Sequence, residues 1–504
     1  MNKKKMNPTF VISLIIVAII VVWGLGFPGS FETVATVTKG FITDNFSWFY
    51  AAVMTGFVAF VVWLGFFSKY KDIRLGPDDS KPEYSNISWF AMLFSAGMGI
   101  GLVFWGVAEP LNFYMAPIGA EAGTPAAAQF AITKAFLHWG LHPWANYAVL
   151  ALALAYMQFR KNKPGLISSI FIPLIGEERV KGPIGKTIDI LAIFATVAGV
   201  ATSLGLGAMQ INSGLNFLFD IPENNVVLII IVVIVTAMFM TSAITGVDKG
   251  IKFLSNANVA LCCLLALACL IVGPTRQIFN TLIEGIGDYI QELPHNSFAV
   301  GAYSDSGWYG GWTIFYWSWW IAWAPFTGTF IARISKGRTV KEFIMGVTLV
   351  PALVSFVWFA IFGTLGINTG TEVASEAIQN TSTALFVVLK EYPMGAAISL
   401  IVVVLLCTFF VTSADSATFV LGMLSSYGDL NPKTSRKVVW GVIQSLLALA
   451  LLLGTVNGLE MLQAISIVAA LPFALVMIGT MVSTVKVMKS EKKGTLKIPK
   501  MKQE

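Results

Sequence analysis

The chain has 504 residues, 56% of them hydrophobic and only 12% charged. Soluble domains carry about 25% charged residues, so this surface cannot be kept in water and lipid must be its main solvent. The formal net charge of +6 does not point to nucleic acid, because the basic residues are scattered through short loops between apolar runs.

Runs long enough to cross a bilayer, about 20 apolar residues each, occur at 9–26, 46–67, 88–115, 129–157, 187–210, 225–246, 254–274, 311–332, 343–366, 394–420, 437–455 and 461–484. They predict an all-α polytopic membrane protein of about twelve transmembrane helices. The first run follows Lys3, Lys4 and Lys5 and competes with a signal-peptide reading. It is long for one, and Gly24-Leu25-Gly26 is a poor cleavage site, so it reads as a retained span. With the amino terminus placed inside, 29 of the 33 lysines and arginines fall on cytoplasmic segments, leaving Lys39, Lys134, Arg276 and Lys390 outside. That bias predicts a multi-pass protein of the cell membrane with both termini cytoplasmic.

After the seventh span, residues 276–290 place Ile278, Phe279, Leu282, Ile283, Ile286 and Ile290 on one helical face and Glu284 and Asp288 on the other. This predicts an amphipathic helix lying in the interface. The lysine-rich tail after Thr484 reads as short and poorly packed, either an orientation anchor or a contact for anionic lipid.

Three spans break the rule that a membrane helix is apolar and regular. In span 3, Gly97, Gly99 and Gly101 lie two apart. Close helix packing prefers small residues four apart, and each glycine weakens a helix by roughly 1 kcal/mol. An unwound segment lining a cavity is expected, with a packing seam as the alternative. Span 4 opens with His138-Trp139 and continues to Trp144 and Tyr147, the three rings falling within an arc of about 140°. Span 8 carries Trp312, Tyr316, Trp319 and Trp323 along one stripe, with Trp320 beside it and with Pro325 and Gly328 below. Such rings are often core or interface belt. Placed in mid-membrane they also suit a quaternary ammonium, which has no N–H to donate and is held by aromatic faces. Span 10 clusters Thr412, Ser413, Asp415 and Ser416. These hydroxyls either bond back to their own helix or, with freed carbonyls, bind a hard cation. Asp415 reads as structural, and Thr196 and Thr202 raise the same question in span 5.

Nothing in the chain has the pattern of a P-loop, a dinucleotide fingerprint or a nucleophile elbow. Cys262, Cys263, Cys269 and Cys407 sit in apolar runs and read as small hydrophobes; with His138, His142 and His295 they form no metal-site spacing. Neither an enzyme nor a bound cofactor is expected.

On Gly97-Met-Gly-Ile-Gly101, His138-Trp139, Trp144, Tyr147, Trp317-Ser-Trp-Trp-Ile-Ala-Trp-Ala-Pro-Phe326, Ala332-Arg-Ile-Ser-Lys-Gly-Arg338 and Thr412-Ser-Ala-Asp-Ser416, nearly the whole chain resembles the betaine–carnitine–choline transporters. It is most similar to the glycine betaine importers of Gram-positive bacteria. The resemblance implies a five-plus-five inverted-repeat sodium-symporter fold with two extra N-terminal helices, assembled as a homotrimer. It divides the chain into a cytoplasmic tail with two peripheral helices (1–87), a first repeat of spans 3–7 (88–275), the amphipathic helix and outer loop (276–310), a second repeat of spans 8–12 (311–484) and a basic tail (485–504). It implies a substrate cage of Trp139, Trp144, Tyr147 and Trp320, flanked by Trp319 and Trp323, with the segment of Gly97, Gly99 and Gly101 at the substrate carboxylate. One sodium would be held by the backbone at Ser95 and Met98 with Phe409, Thr412 and Ser413. A second would use Thr196 and Phe326, although Val200 stands where the family has its other hydroxyl. Family members that move choline with protons carry an acid at the end of the glycine motif, and Gly101 stands there. The expected activity is import of glycine betaine with sodium for osmoprotection. The alternatives are choline, carnitine or another betaine, a sodium-independent exchanger, and a channel or receptor on the same spans.

Overall fold

In lipid every backbone N–H must find a carbonyl within its own segment, and the chain is built accordingly. The computed structural model describes residues 7–97, 99–245, 248–453 and 457–492, without the side chains of 94–97, 248–252 and 492. Among the described residues there is no strand, only one isolated bridge between Arg74 and Thr339. The first half consists of α1 (Pro8–Gly26), α2 (Pro28–Val62), α3 (Asn86–Gly97), α4 (Ile100–Met115), α5 (Pro125–Trp139), α6 (Leu141–Ala155), the short α7 (Ile172–Ile175) and α8 (Glu177–Lys181), α9 (Pro183–Phe219), α10 (Asn225–Thr245) and α11 (Asp248–Val272). Then come α12 (Thr275–Phe298), α13 (Ser306–Gly311), α14 (Thr313–Ile334), α15 (Val340–Asn368), α16 (Thr371–Gln379), α17 (Ala384–Lys390), α18 (Gly395–Leu424), α19 (Thr434–Leu453) and α20 (Gly458–Lys492).

Nine helices among the described residues are long and apolar enough to span a membrane: α1, α2, α9, α10, α11, α15, α18, α19 and α20. The other three expected spans, at 88–115, 129–157 and 311–332, are different for physical reasons. The first two are each divided into a pair of shorter helices, α3 with α4 and α5 with α6. The third, α14, is rich in Trp and Tyr, whose polar tips lower its apolar character. α14 is also buried on nearly every side from Thr313 to Ala332, as expected of a helix at the centre of a bundle. It packs on α6, α9 and α20. Outer helices keep an uncovered apolar stripe, such as Ile12, Ile15, Ile19 and Val22 on α1. Cys263 also faces outward, whereas Cys262 and Cys269 are buried.

Several boundaries differ from expectation. α2 begins at Pro28, well before residue 46, extending the second helix beyond its apolar run. The amphipathic helix is longer than 276–290 and its apolar face is divided. Ile278 and Tyr289 are buried where α12 packs on α5 and α15, while Phe279, Ile283 and Ile290 remain exposed. The segment after Thr484 is not a loose tail at once. α20 continues to Lys492 with Val487 and Met488 buried, and Glu491 binds Arg160, Lys161 and Tyr156. Residues 493–504 lie outside the described part.

Arg160 is the centre of a clasp at that end of the bundle. Its guanidinium also donates to the Gly76 carbonyl at 2.7 Å and to Asp78 at 2.7 Å. The same loop pairs with the turn after α14: Leu75 N–H donates to the Arg338 carbonyl, and Gly337 N–H to the Leu75 carbonyl, both at 2.8 Å. Arg338 itself lies 3.8 Å over the Trp89 ring.

Candidate functional site

The interrupted helices meet at one place. α3 ends at Gly97 and α4 begins after Gly99, so the expected unwinding falls within the glycine run. Met98 lies outside the described residues, as does the side chain of Ser95. Gly101 sits in the first turn of α4 under the Trp319 indole, where a Cβ would run into the ring. A second break, between α5 and α6, was not expected. It occurs at Gly140 (φ −88°, ψ −127°), and Tyr289 of α12 reaches in so that its hydroxyl accepts the freed Leu141 N–H at 3.1 Å.

The aromatic residues of spans 4 and 8 turn toward this meeting point and away from lipid. Trp139, Trp144, Tyr147, Trp319, Trp320 and Trp323 are all buried. Trp320 is the hub. It stacks on Trp319 at 4.8 Å, meets Trp139 edge-on at 4.8 Å and Tyr147 edge-on at 6.3 Å. Trp144 joins through Tyr147, 5.6 Å away. Trp323 stands 6.5 Å below Trp319. Their polar tips are fixed: Trp320 Nε1 donates to the His138 carbonyl at 2.9 Å, and Trp323 Nε1 to the Gly199 carbonyl at 2.7 Å. Asn146 donates to the Trp320 carbonyl at 2.7 Å, joining α6 to α14. The Trp319 N–H is buried without a partner among the described residues.

Directly below the rings lies a cavity of about 70 Å³. Trp323, Phe326 and Phe330 of α14 form its aromatic wall, facing Phe409, Thr412, Ser413 and Ser416 of α18. Gly99 and, from α11, Ser255 and Asn258 complete the lining. Phe326, Phe409, Thr412 and Ser413, four of the expected ion residues, are thus brought together beside the glycine break. Thr412 donates to its own helix at Thr408 O, 3.0 Å away, and accepts from Asn258 Nδ2 at 3.0 Å. Thr196 is not among the lining residues, and its hydroxyl bonds back to Ala192 O at 2.8 Å. The second ion group is therefore less assembled than the first. The polar side chains that line the cavity, Ser255, Asn258, Thr412, Ser413 and Ser416, offer hydroxyl and amide oxygens.

Glu109 was not anticipated. It is fully buried in α4, and its carboxylate is shared by three neighbours. His138 Nδ1 lies 2.7 Å from Oε1, while Trp139 Nε1 and the Tyr316 hydroxyl donate to Oε2 at 2.7 and 2.6 Å. A signal was present: an acid in the middle of an apolar span is a candidate functional residue by that fact alone.

A polytopic helical protein whose interrupted helices surround a central group of rings and hydroxyls has the construction of a secondary transporter. The chain belongs to the betaine/carnitine/choline transporters: residues 8–493 match the family described as "BCCT, betaine/carnitine/choline family transporter". It is similar to the "Glycine betaine transporter OpuD" of Bacillus subtilis (strain 168), 48% identical over 99% of this chain and 97% of the relative. A "Probable glycine betaine transporter" of Desulfitobacterium hafniense (strain Y51) is 42% identical over 97% of this chain and 98% of its own. An "Ectoine/hydroxyectoine transporter" of Virgibacillus pantothenticus is also 42% identical, over 98% and 99%. The protein is a multi-pass membrane transporter and not an enzyme.

Proposed function

We propose that this protein imports glycine betaine together with sodium, by alternating access across the cell membrane, and so serves osmoprotection. The observation that carries this reading is the group of buried rings, Trp139, Tyr147, Trp319 and Trp320, gathered where two spans are broken against α14. A trimethylammonium has no proton to share, and desolvated aromatic faces attract it by about 2 kcal/mol or more. The carboxylate of the zwitterion needs donors, which the start of α4 after Gly99 and the unpartnered Trp319 N–H can supply. The names of the relatives support the same substrate class.

Sodium is the proposed coupling ion. Phe409, Thr412 and Ser413 stand in one cavity with Gly99 of the glycine break, and hydroxyl and backbone oxygens of this kind suit a hard cation. A second sodium at Thr196 and Phe326 has weaker support, because Val200 supplies no hydroxyl. The basic residues favour cytoplasmic termini, which puts the cavity in the cytoplasmic half. The rings above it touch one another, so substrate binding requires them to part. Two inverted five-helix repeats, 88–275 and 311–484, are the proposed moving parts, with α1 and α2 peripheral. A homotrimer is proposed, for which the uncovered Phe279, Ile283 and Ile290 row on α12 is a suitable surface.

The ectoine relative makes a second zwitterion worth including in the test. Purified protein is heated with glycine betaine, choline, carnitine, proline or ectoine, each with sodium or potassium. Sodium-dependent stabilisation by glycine betaine is expected. Stabilisation by ectoine or choline alone would move the substrate, and none by any of the five would overturn the reading.

A further inference from the structure

Glu109 lies behind the ring group, with its three hydrogen-bond partners drawn from two other helices: His138 and Trp139 from α5, Tyr316 from α14. His138 is held from its other side, Nε2 lying 3.0 Å from Thr313 Oγ1, and its ring stacks on Tyr316 at 4.6 Å. One carboxylate thus ties α4, α5 and α14 together at the level of the cage. Every one of these contacts is 2.7 Å or shorter, in the range of bonds to a charged acceptor. Trp320 and Trp323 donate to backbone carbonyls, whose places are set by their helices, whereas Trp139 donates to a side chain and, freed from Glu109, has a rotatable χ1 and χ2.

We propose that Glu109 is a positioning residue for substrate binding. Its Oε2 holds the Trp139 indole and the Tyr316 phenol against each other, so that Trp139 presents its face beside Trp320 without the carboxylate meeting the substrate. The inference rests on the cage reading above. It makes the shape of the acceptor matter and its charge dispensable. A glutamine at 109 can place its carbonyl oxygen where Oε2 is, accepting from Trp139 and Tyr316. Its amide then faces His138 Nδ1, and the imidazole takes the other tautomer, donating from Nε2 to Thr313 Oγ1. All contacts survive. Alanine leaves three buried donors unanswered.

The test is glycine betaine affinity at saturating sodium, read by tryptophan fluorescence on purified protein. Glu109→Ala is expected to weaken binding by about 10–100-fold, the range for buried donors left unsatisfied, and Glu109→Gln by less than about 3-fold. Trp139→Phe, which keeps a ring but has no N–H, should weaken binding in the native background and add less than about 2-fold to Glu109→Ala, since both remove one contact. Unchanged binding in Glu109→Ala, a Gln variant as weak as the Ala variant, or multiplicative effects with Trp139→Phe would each overturn the proposal. If the alanine variant does not fold, Tyr316→Phe decides. It leaves the Trp139 bond but removes the direct bond from Glu109 to α14, and is expected to weaken binding by about 3–10-fold; native affinity there overturns it. Trp320→Leu serves as the control for the cage itself. Native affinity in that variant strikes the cage, whereas its loss alongside a native Glu109→Ala strikes only Glu109.

Discussion

Replacing Trp320 by leucine separates a ring that packs from a ring that binds. Trp320 touches Trp139, Tyr147, Tyr316 and Trp319 with its faces and edges and donates its N–H to the His138 carbonyl. Leucine keeps an apolar side chain at the site but removes the π face. A desolvated cation–π contact is worth about 2 kcal/mol, and about 1.4 kcal/mol is a factor of ten, so the dissociation constant for glycine betaine should rise about 30-fold. The substitution also orphans the His138 carbonyl at the end of α5, at a stability cost of about 1–3 kcal/mol. That cost is present with and without ligand, so it appears in the melting temperature of the free protein. The loss of affinity appears only in a titration with betaine. Trp320→Phe retains a face and should lose only a few-fold. A leucine variant that binds betaine with native affinity would refute the role of the rings, however much it lowers the melting temperature.

Thr412→Ala removes a hydroxyl from the cavity and the acceptor of Asn258. The sodium concentration for half-maximal uptake should rise about tenfold, while Thr412→Ser stays near native; uptake indifferent to both would remove Thr412 from the ion site. Gly101→Ala puts a methyl group onto the Trp319 indole, an overpacking worth about 1–3 kcal/mol. Betaine affinity should fall with expression maintained, and native affinity would show that the indole has room to move. Glu491→Ala leaves the buried Arg160 with Asp78 and the carbonyls of Arg74 and Gly76. The melting temperature should drop by several degrees in purified protein, and no change would mean that the clasp adds nothing to stability.

The membrane character, nine of the twelve expected spans and the ring-bearing helices are legible in the residues because hydropathy and helical spacing are local properties. The glycine break is legible for the same reason, as three glycines within five positions weaken one turn. The break at Gly140 is not, since a lone glycine between His138-Trp139 and Leu141-His142 is tolerated in a helix unless a distant group answers the freed N–H. Here that group is Tyr289, on a helix that sequence separation hides. Residues 485–492 fail for a similar reason. Lysines at 486, 489 and 492 read as a solvated tail, yet Val487 and Met488 lie on a buried side and Glu491 finds Arg160, more than 300 residues earlier. Glu109 was legible in principle. It is a single acid that precedes Pro110 in a mostly apolar run, and its partners lie on α5 and α14, which sequence separation hides.

Uptake of labelled glycine betaine into proteoliposomes, with sodium outside and then with potassium in its place, probes the proposed transport most directly. Sodium-coupled import predicts accumulation above the outside concentration under the sodium gradient and its disappearance in potassium. Accumulation of the same size in both salts, or uptake that needs only betaine already inside, would contradict it.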